Sequence, residues 1–348
     1  MPVANCSHSC QARHERKGSL WIHPLESVYR LLRLRDDRMK QSLGKISGVL
    51  PALVTPFSEA GALDTGRLQN LIRHVISGGV HGVFIAGSQG EFYALEDEER
   101  VELTRVTMNE ANRRGVVCVG TGAITTRGAV RLTRIISELR PDALSVITPF
   151  FITPSEKELI THFRTVADNT DLPILLYNNP ARTGVNISPR VVHDLASVDN
   201  IVGLKDSSGD LSLLAAFVEA GGENFSVLVG RDSLIFPALM LGASGAVAST
   251  ANVVPSLVVG IFDAVQAGRF DRALVAQRRL NPLREAFELG TFPVVIKEAL
   301  NMIGIPVGST RAPIGPIVAA RREELIHILQ SMGVLQSVPE ISLGRGKR

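Results

Sequence analysis

Cysteine, aromatic residues and lysine are all scarce in this 348-residue chain, and each scarcity excludes something. Three cysteines, Cys6, Cys10 and Cys118, do not make a disulfide framework, so a reducing, cytoplasmic setting is expected. Cys118 lies in an apolar, strand-like run and reads as an inert core thiol. Aromatics make up 5% of the residues while Gly and Ala abound, a balance that suits an α/β protein better than an all-β one. No apolar run reaches the length of a membrane span. The formal net charge is only +3, and the basic residues are dispersed, so neither nucleic acid nor membrane is expected as a partner. The eight histidines do not fall in ligand spacing on strand ends, so no metal is expected there.

The two ends of the chain read as tails. Residues 1–44 are rich in Arg, Ser and His and lack the long apolar stretch of a secretory signal. Acids at Glu15, Glu26, Asp36 and Asp37 weaken an organellar transit reading, Val28–Leu34 has a short helical pattern, and Met39 offers a later start. Cys6, His8, Cys10 and His14 admit a small metal cluster, but an unstructured extension is the simpler reading. Residues 336–348 form a polar tail.

Between them, short apolar runs alternate with amphipathic stretches. The expected strands are Val49–Thr55, Gly82–Ala86, Val116–Gly120, Ala143–Ile147, Ile174–Tyr177, Ile201–Leu204, Ser226–Val229 and Gly245–Ala248. Helical patterns follow them, with apolar Leu68, Leu71, Ile72, Val75 and Ile76 on one face, and acids opening the stretch from Glu96. Eight βα units over residues 45–268 imply a (β/α)8 TIM barrel, with a C-terminal helical appendix over 269–335 at about Asp271–Glu288, Pro293–Ile303 and Arg321–Ser331. An open dinucleotide-binding sheet is disfavoured, because Gly120-Thr121-Gly122 lacks the third glycine and the ribose-binding acid.

A barrel of this kind carries its chemistry on the loops after the strands. Polar residues collect there: Gly87-Ser88-Gln89-Gly90-Glu91 after the second strand, Tyr177 to Gly184 after the fifth, Lys205 at the end of the sixth, and Gly230-Arg231-Asp232 after the seventh. Lysine is rare in this chain, at seven against thirty arginines, so Lys205 after a buried apolar strand stands out. Burial favours the neutral amine, which is the nucleophile toward carbonyl compounds. The alternative is a salt bridge to Asp206 or another acid. A Gly-Ser-x-Gly turn presents backbone N–H groups to an anion, or is simply a tight turn. Tyr177 suits proton transfer near the amine, or packing with its hydroxyl at the rim. Arg182 offers a bidentate fork for a carboxylate, or a solvated loop position.

These stretches, with Leu50-Pro51-Ala52-Leu53-Val54-Thr55-Pro56-Phe57, Leu176-Tyr177-Asn178-Asn179-Pro180 and Gly203-Leu204-Lys205-Asp206-Ser207-Ser208-Gly209, resemble the dihydrodipicolinate synthase / N-acetylneuraminate lyase family of class I aldolases over about residues 46–333. The resemblance implies that Lys205 forms an imine with pyruvate or a related 2-oxo acid, with Tyr177 and Ser88 relaying protons. It implies that the backbone at Ser88–Gln89 binds the carboxylate, that the Val247 carbonyl faces the keto acid, and that Arg182 holds the carboxylate of an aldehyde partner. The covalent imine serves as the electron sink, so no cofactor is expected. A homotetramer built from tight dimers is implied as well.

The chain departs from the synthase pattern at four places. Gln89 replaces a second hydroxyl residue, and Phe151 replaces the tyrosine that reaches across the tight dimer. No histidines of a lysine-feedback site follow Glu91, and Arg231 stands where an acid is common, which favours an anionic substrate. A synthase joining pyruvate to an aldehyde such as aspartate semialdehyde therefore shares the field with a 2-oxo-3-deoxy sugar-acid aldolase or dehydratase and a 4-hydroxy-2-oxoglutarate aldolase. A non-catalytic regulatory homologue is disfavoured because Lys205 and Tyr177 are both present.

Overall fold

A computed structural model describes residues 45–335. The readings made for residues 1–44 and 336–348 lie outside them. Eight parallel strands, β1 (Gly48–Pro51), β2 (Gly82–Ile85), β3 (Val116–Gly120), β4 (Ala143–Ile147), β5 (Ile174–Asn178), β6 (Ile201–Asp206), β7 (Ser226–Val229) and β8 (Gly245–Ala248), pair in the order β1-β8-β7-β6-β5-β4-β3-β2. A bridge from Ala52 to Phe84 joins β1 to β2 and closes the ring, so the fold is the expected (β/α)8 barrel.

Two apolar layers follow from strand alternation. Leu50, Ala52, Phe84, Cys118, Ala143, Leu175, Leu228 and Val247 fill the barrel interior. The alternate residues, such as Val49, Val83, Val119, Leu144, Leu176, Leu204 and Val227, pack outward against the helices. Helix Thr65–Ser77 buries Leu68, Leu71, Ile72 and Val75, the face read from its spacing. Its start is set by Asp64, which accepts from the Arg67 N–H. Ser155 and Glu158 form a reciprocal capping box at helix Glu156–Ala167, and Asp210 caps helix Leu211–Gly221.

Two strand ends differ from expectation. β1 stops at Pro51, although single bonds continue beyond it, from the Ala52 N–H to the Ala248 carbonyl at 3.0 Å and from the Leu53 N–H to the Phe84 carbonyl at 2.9 Å. β6 runs two residues further than expected, which places Lys205 within the strand, where its backbone is fixed by both neighbours. The C-terminal helices lie at Phe270–Glu285, Val294–Met302 and Ala319–Ser331. No helix of the described residues is long and apolar enough to cross a membrane.

Candidate active site

Tyr177 on β5 and Lys205 on β6 are direct register partners, so their side chains rise side by side toward the C-terminal end of the barrel. Lys205 is 4% exposed. Its Nζ lies 4.0 Å from the centroid of the Tyr177 ring and 4.2 Å from that of Phe84. None of the ion pairs among the described residues includes Lys205. Asp206, the neighbour in sequence, turns to the other side of the strand, where its carboxylate accepts from the Asn178 amide at 2.8 Å and the Ser208 hydroxyl at 2.7 Å. Burial raises the Asp206 pKa, and the Ser208 and Asn178 donors oppose it. The salt-bridge alternative for Lys205 with Asp206 is thereby removed.

The Tyr177 hydroxyl is surrounded by polar groups. Ser88 Oγ stands 3.4 Å away, and Asn179 Nδ2 donates to the phenol oxygen at 2.9 Å. Burial alone would raise the phenol pKa. The positive charge of Lys205, aided by the Ser88, Asn179 and Ser207 side chains, outweighs burial and holds it below the ordinary value. A phenol of this kind can give and take a proton close to the amine.

Ser88 and Gln89 belong to a turn bounded by two residues in the left-handed region, Ala86 (φ 51°) and Glu91 (φ 54°). Thr55 donates to the Gly90 carbonyl at 2.6 Å, and a Cβ at position 90 would come within 2.9 Å of the Leu53 carbonyl, so the turn requires glycine there. Among the described residues no hydrogen bond engages the N–H of Ser88 or Gln89. The Gln89 Nε2 donates to the Pro293 carbonyl at 3.3 Å, while its buried Oε1 has no partner. Unengaged N–H groups in a tight turn can receive an anion.

The structure thus gathers Lys205, Tyr177 and Ser88, with Gln89 beside Ser88. Val247 packs in the barrel interior on β8. Arg182 and Arg231 are exposed, on the loops after the two strands that flank β6. The Arg182 guanidinium stacks 4.1 Å from the centroid of Phe292, and Arg231 runs beside Gly209. Behind them is Arg284, whose pKa is lowered by burial, against the attraction of Asp232, and further by Arg231 and Arg182. Sequence reasoning missed Asn179, Ser207 and Arg284 as site residues. The first two stood inside quoted motifs, but nothing in their spacing signals contact with Tyr177. Cys118 sits in the interior with its thiol pushed up to about 12 by burial, as an inert thiol should.

Residues 45–332 match the Dihydrodipicolinate synthetase family. The chain belongs to that family. It is 37% identical over 289 residues to the 4-hydroxy-tetrahydrodipicolinate synthase of Methanoculleus marisnigri, covering 82% of this chain and 99% of the relative. The dihydrodipicolinate synthase of Aquifex aeolicus superposes with a TM-score of 0.81 at 33% identity, covering 84% of this chain and 100% of that one. YagE from E. coli, a prophage protein of the same family solved in complex with pyruvate, gives 0.80 at 33% identity, with 83% and 99% covered.

Proposed function

We propose that this protein is a class I aldolase of synthase type, which joins pyruvate through an imine on Lys205 to an aldehyde such as aspartate semialdehyde. The observation that carries the reading is the pairing of a buried Lys205, free of any acid partner among the described ion pairs, with Tyr177 at 4.0 Å. Synthases among the curated relatives support the choice of partner aldehyde.

The neutral Lys205 amine attacks C2 of pyruvate, and the carbonyl oxygen takes a proton from the Tyr177 hydroxyl, giving a carbinolamine. Loss of water leaves the protonated imine. That cation draws electrons from C3, which releases a proton and becomes an enamine. The enamine attacks the aldehyde carbonyl, whose oxygen takes up a proton, and water then frees the product and Lys205. No cofactor is required for these steps. The Ser88 and Gln89 N–H groups hold the pyruvate carboxylate, with Val247 facing the keto acid, and Arg182 and Arg231 draw in the anionic end of the second substrate. Condensation of pyruvate with aspartate semialdehyde, read by coupled reduction of the product, tests this; a rate no higher than that of Lys205→Ala defeats it.

A second reading has one specific support. The buried Gln89 Oε1 needs a donor, and a hydroxylated substrate would supply one. Cleavage of 2-oxo-3-deoxy sugar acids or 4-hydroxy-2-oxoglutarate, assayed by pyruvate release, separates it from the first.

We also infer a homotetramer of tight dimers in the cytoplasm. Phe151 is 93% exposed with its backbone in the left-handed region, and Ile152 beside it is 57% exposed, a patch that calls for cover. Light scattering coupled to size exclusion reads the assembly directly.

A further inference from the structure

Two of the four lysines among the described residues are buried, and the proposed chemistry uses only one of them. The other is Lys297, 1% exposed on helix Val294–Met302 in the C-terminal region. Its Nζ stands 2.6 Å from Oε1 of Glu91, which is fully buried. The same ammonium donates to the Ser309 carbonyl at 2.8 Å and sits 4.2 Å over the Phe57 ring. The other Glu91 oxygen accepts from the backbone N–H of Arg311 at 3.0 Å.

Glu91 closes the turn that carries Ser88 and Gln89, and it does so with φ at 54°. A non-glycine residue held there is strained and persists only where its surroundings impose it. The imposition comes from the C-terminal region: Lys297 and Arg311 hold Glu91, and the Pro293 carbonyl holds Gln89. Arg311 is itself anchored by Glu99 and by the Gly61 and Ala94 carbonyls. A buried ion pair is a weak source of stability, since an apolar pair of equal volume often serves as well. What it supplies here is geometry at a turn whose Ser88 and Gln89 N–H groups have no partner among the described residues.

We propose that Lys297 is a positioning residue for the carboxylate-binding turn, acting through Glu91 to orient the Ser88 and Gln89 N–H groups toward the carboxylate of the 2-oxo acid. The proposal rests on the imine reading given above. Charged groups facing Lys297 are Glu91 from the turn after β2 and Arg311 from the C-terminal region, with Glu99 behind Arg311. Burial, opposed by Glu91 and reinforced by Arg311, lowers the Lys297 pKa to about 8. The pairing therefore weakens as pH rises through that value.

The test is borohydride trapping on Lys205 of the full-length enzyme with two carbonyl probes, pyruvate and acetone, the second lacking a carboxylate. Wild type is compared with Lys297→Met, Glu91→Gln and the double variant, which removes both charges together. The half-saturating pyruvate concentration rises by about tenfold or more in each variant while that of acetone stays put. Equal weakening of both probes, or unchanged pyruvate saturation, overturns the proposal. Should a variant fail to fold, the wild type decides alone. Its pyruvate-to-acetone ratio of half-saturation climbs from about pH 7 to about pH 9, and a flat ratio overturns the proposal, because any effect common to both carbonyl probes divides out. Failure of the wild type to trap pyruvate at all, while acetone is trapped, sinks the imine reading and this proposal together. Normal trapping with indifferent variants sinks this proposal only.

Discussion

Gly230→Ala is the sharpest test of how the barrel rim holds the reactive amine. Gly230 follows β7 and abuts β6. A Cβ built there lies 2.1 Å from Ser207 Oγ and 3.1 Å from both the Asp206 carbonyl oxygen and Lys205 Cε. Ser207 can rotate away, but that withdraws one of the donors that keep the Tyr177 phenol acidic. The remaining contacts press on the Lys205 side chain and on backbone that is locked in a parallel ladder. Overpacking of this sort costs about 1–3 kcal/mol of stability, so the variant still folds at moderate temperature. Catalysis suffers more, because displacing a reacting group by about 1 Å can cost on the order of 10²-fold in rate. The assay is the initial rate of borohydride trapping with saturating pyruvate, read beside thermal melting. Gly260→Ala is the control: nothing lies within 4 Å of its Cβ, on helix Pro255–Gln266. That change should stabilise by about 0.5–1 kcal/mol and leave trapping alone. Wild-type trapping by Gly230→Ala would refute the crowding around Lys205 described here.

Three further outcomes are expected. Asn179→Ala removes the 2.9 Å donor to Tyr177, so the phenol pKa rises and the alkaline limb of the pH–kcat profile moves to higher pH. Lys297 gives a pH dependence of stability whose sign is opposite to that of its effect on pyruvate binding. With its folded pKa at about 8, the native state sheds the proton before the unfolded chain does, so stability rises between about pH 8 and pH 10.4. The rise is on the order of 3 kcal/mol at most, is seen in urea midpoints, and is absent from the Lys297→Met, Glu91→Gln double variant. Phe151→Tyr restores a phenol at the exposed position after β4 and should raise turnover with pyruvate and aspartate semialdehyde. No gain, alongside efficient cleavage of a sugar acid, would favour the second reading.

The barrel was legible because parallel strands buried on both faces read as short apolar runs, and six of the eight agree with the expected bounds to within a residue. The first ends earlier than expected, at Pro51, and the sixth runs on because it keeps pairing with β5 and β7. Lys205 and Tyr177 were legible because strand ends in a barrel converge whatever their separation in sequence. What stayed hidden were contacts fixed by side-chain direction. Asn179 reads as part of a turn until its amide is seen to bond the phenol. Glu91 reads as the last residue of the polar turn after the second strand, and its partner Lys297 lies 206 positions along the chain, a link no periodicity announces. Arg182 and Arg231, expected from the sequence to bind anions, stand exposed after β5 and β7, with Arg182 stacked on the Phe292 ring.

The most direct test of the central claim is peptide mass mapping after reduction of the protein with borohydride in the presence of pyruvate. A single added mass of one reduced pyruvate, on the peptide that contains Lys205 and on no other, is the result expected, with none in Lys205→Ala. An unmodified Lys205 in folded protein, or an adduct on Lys297 instead, would contradict the account.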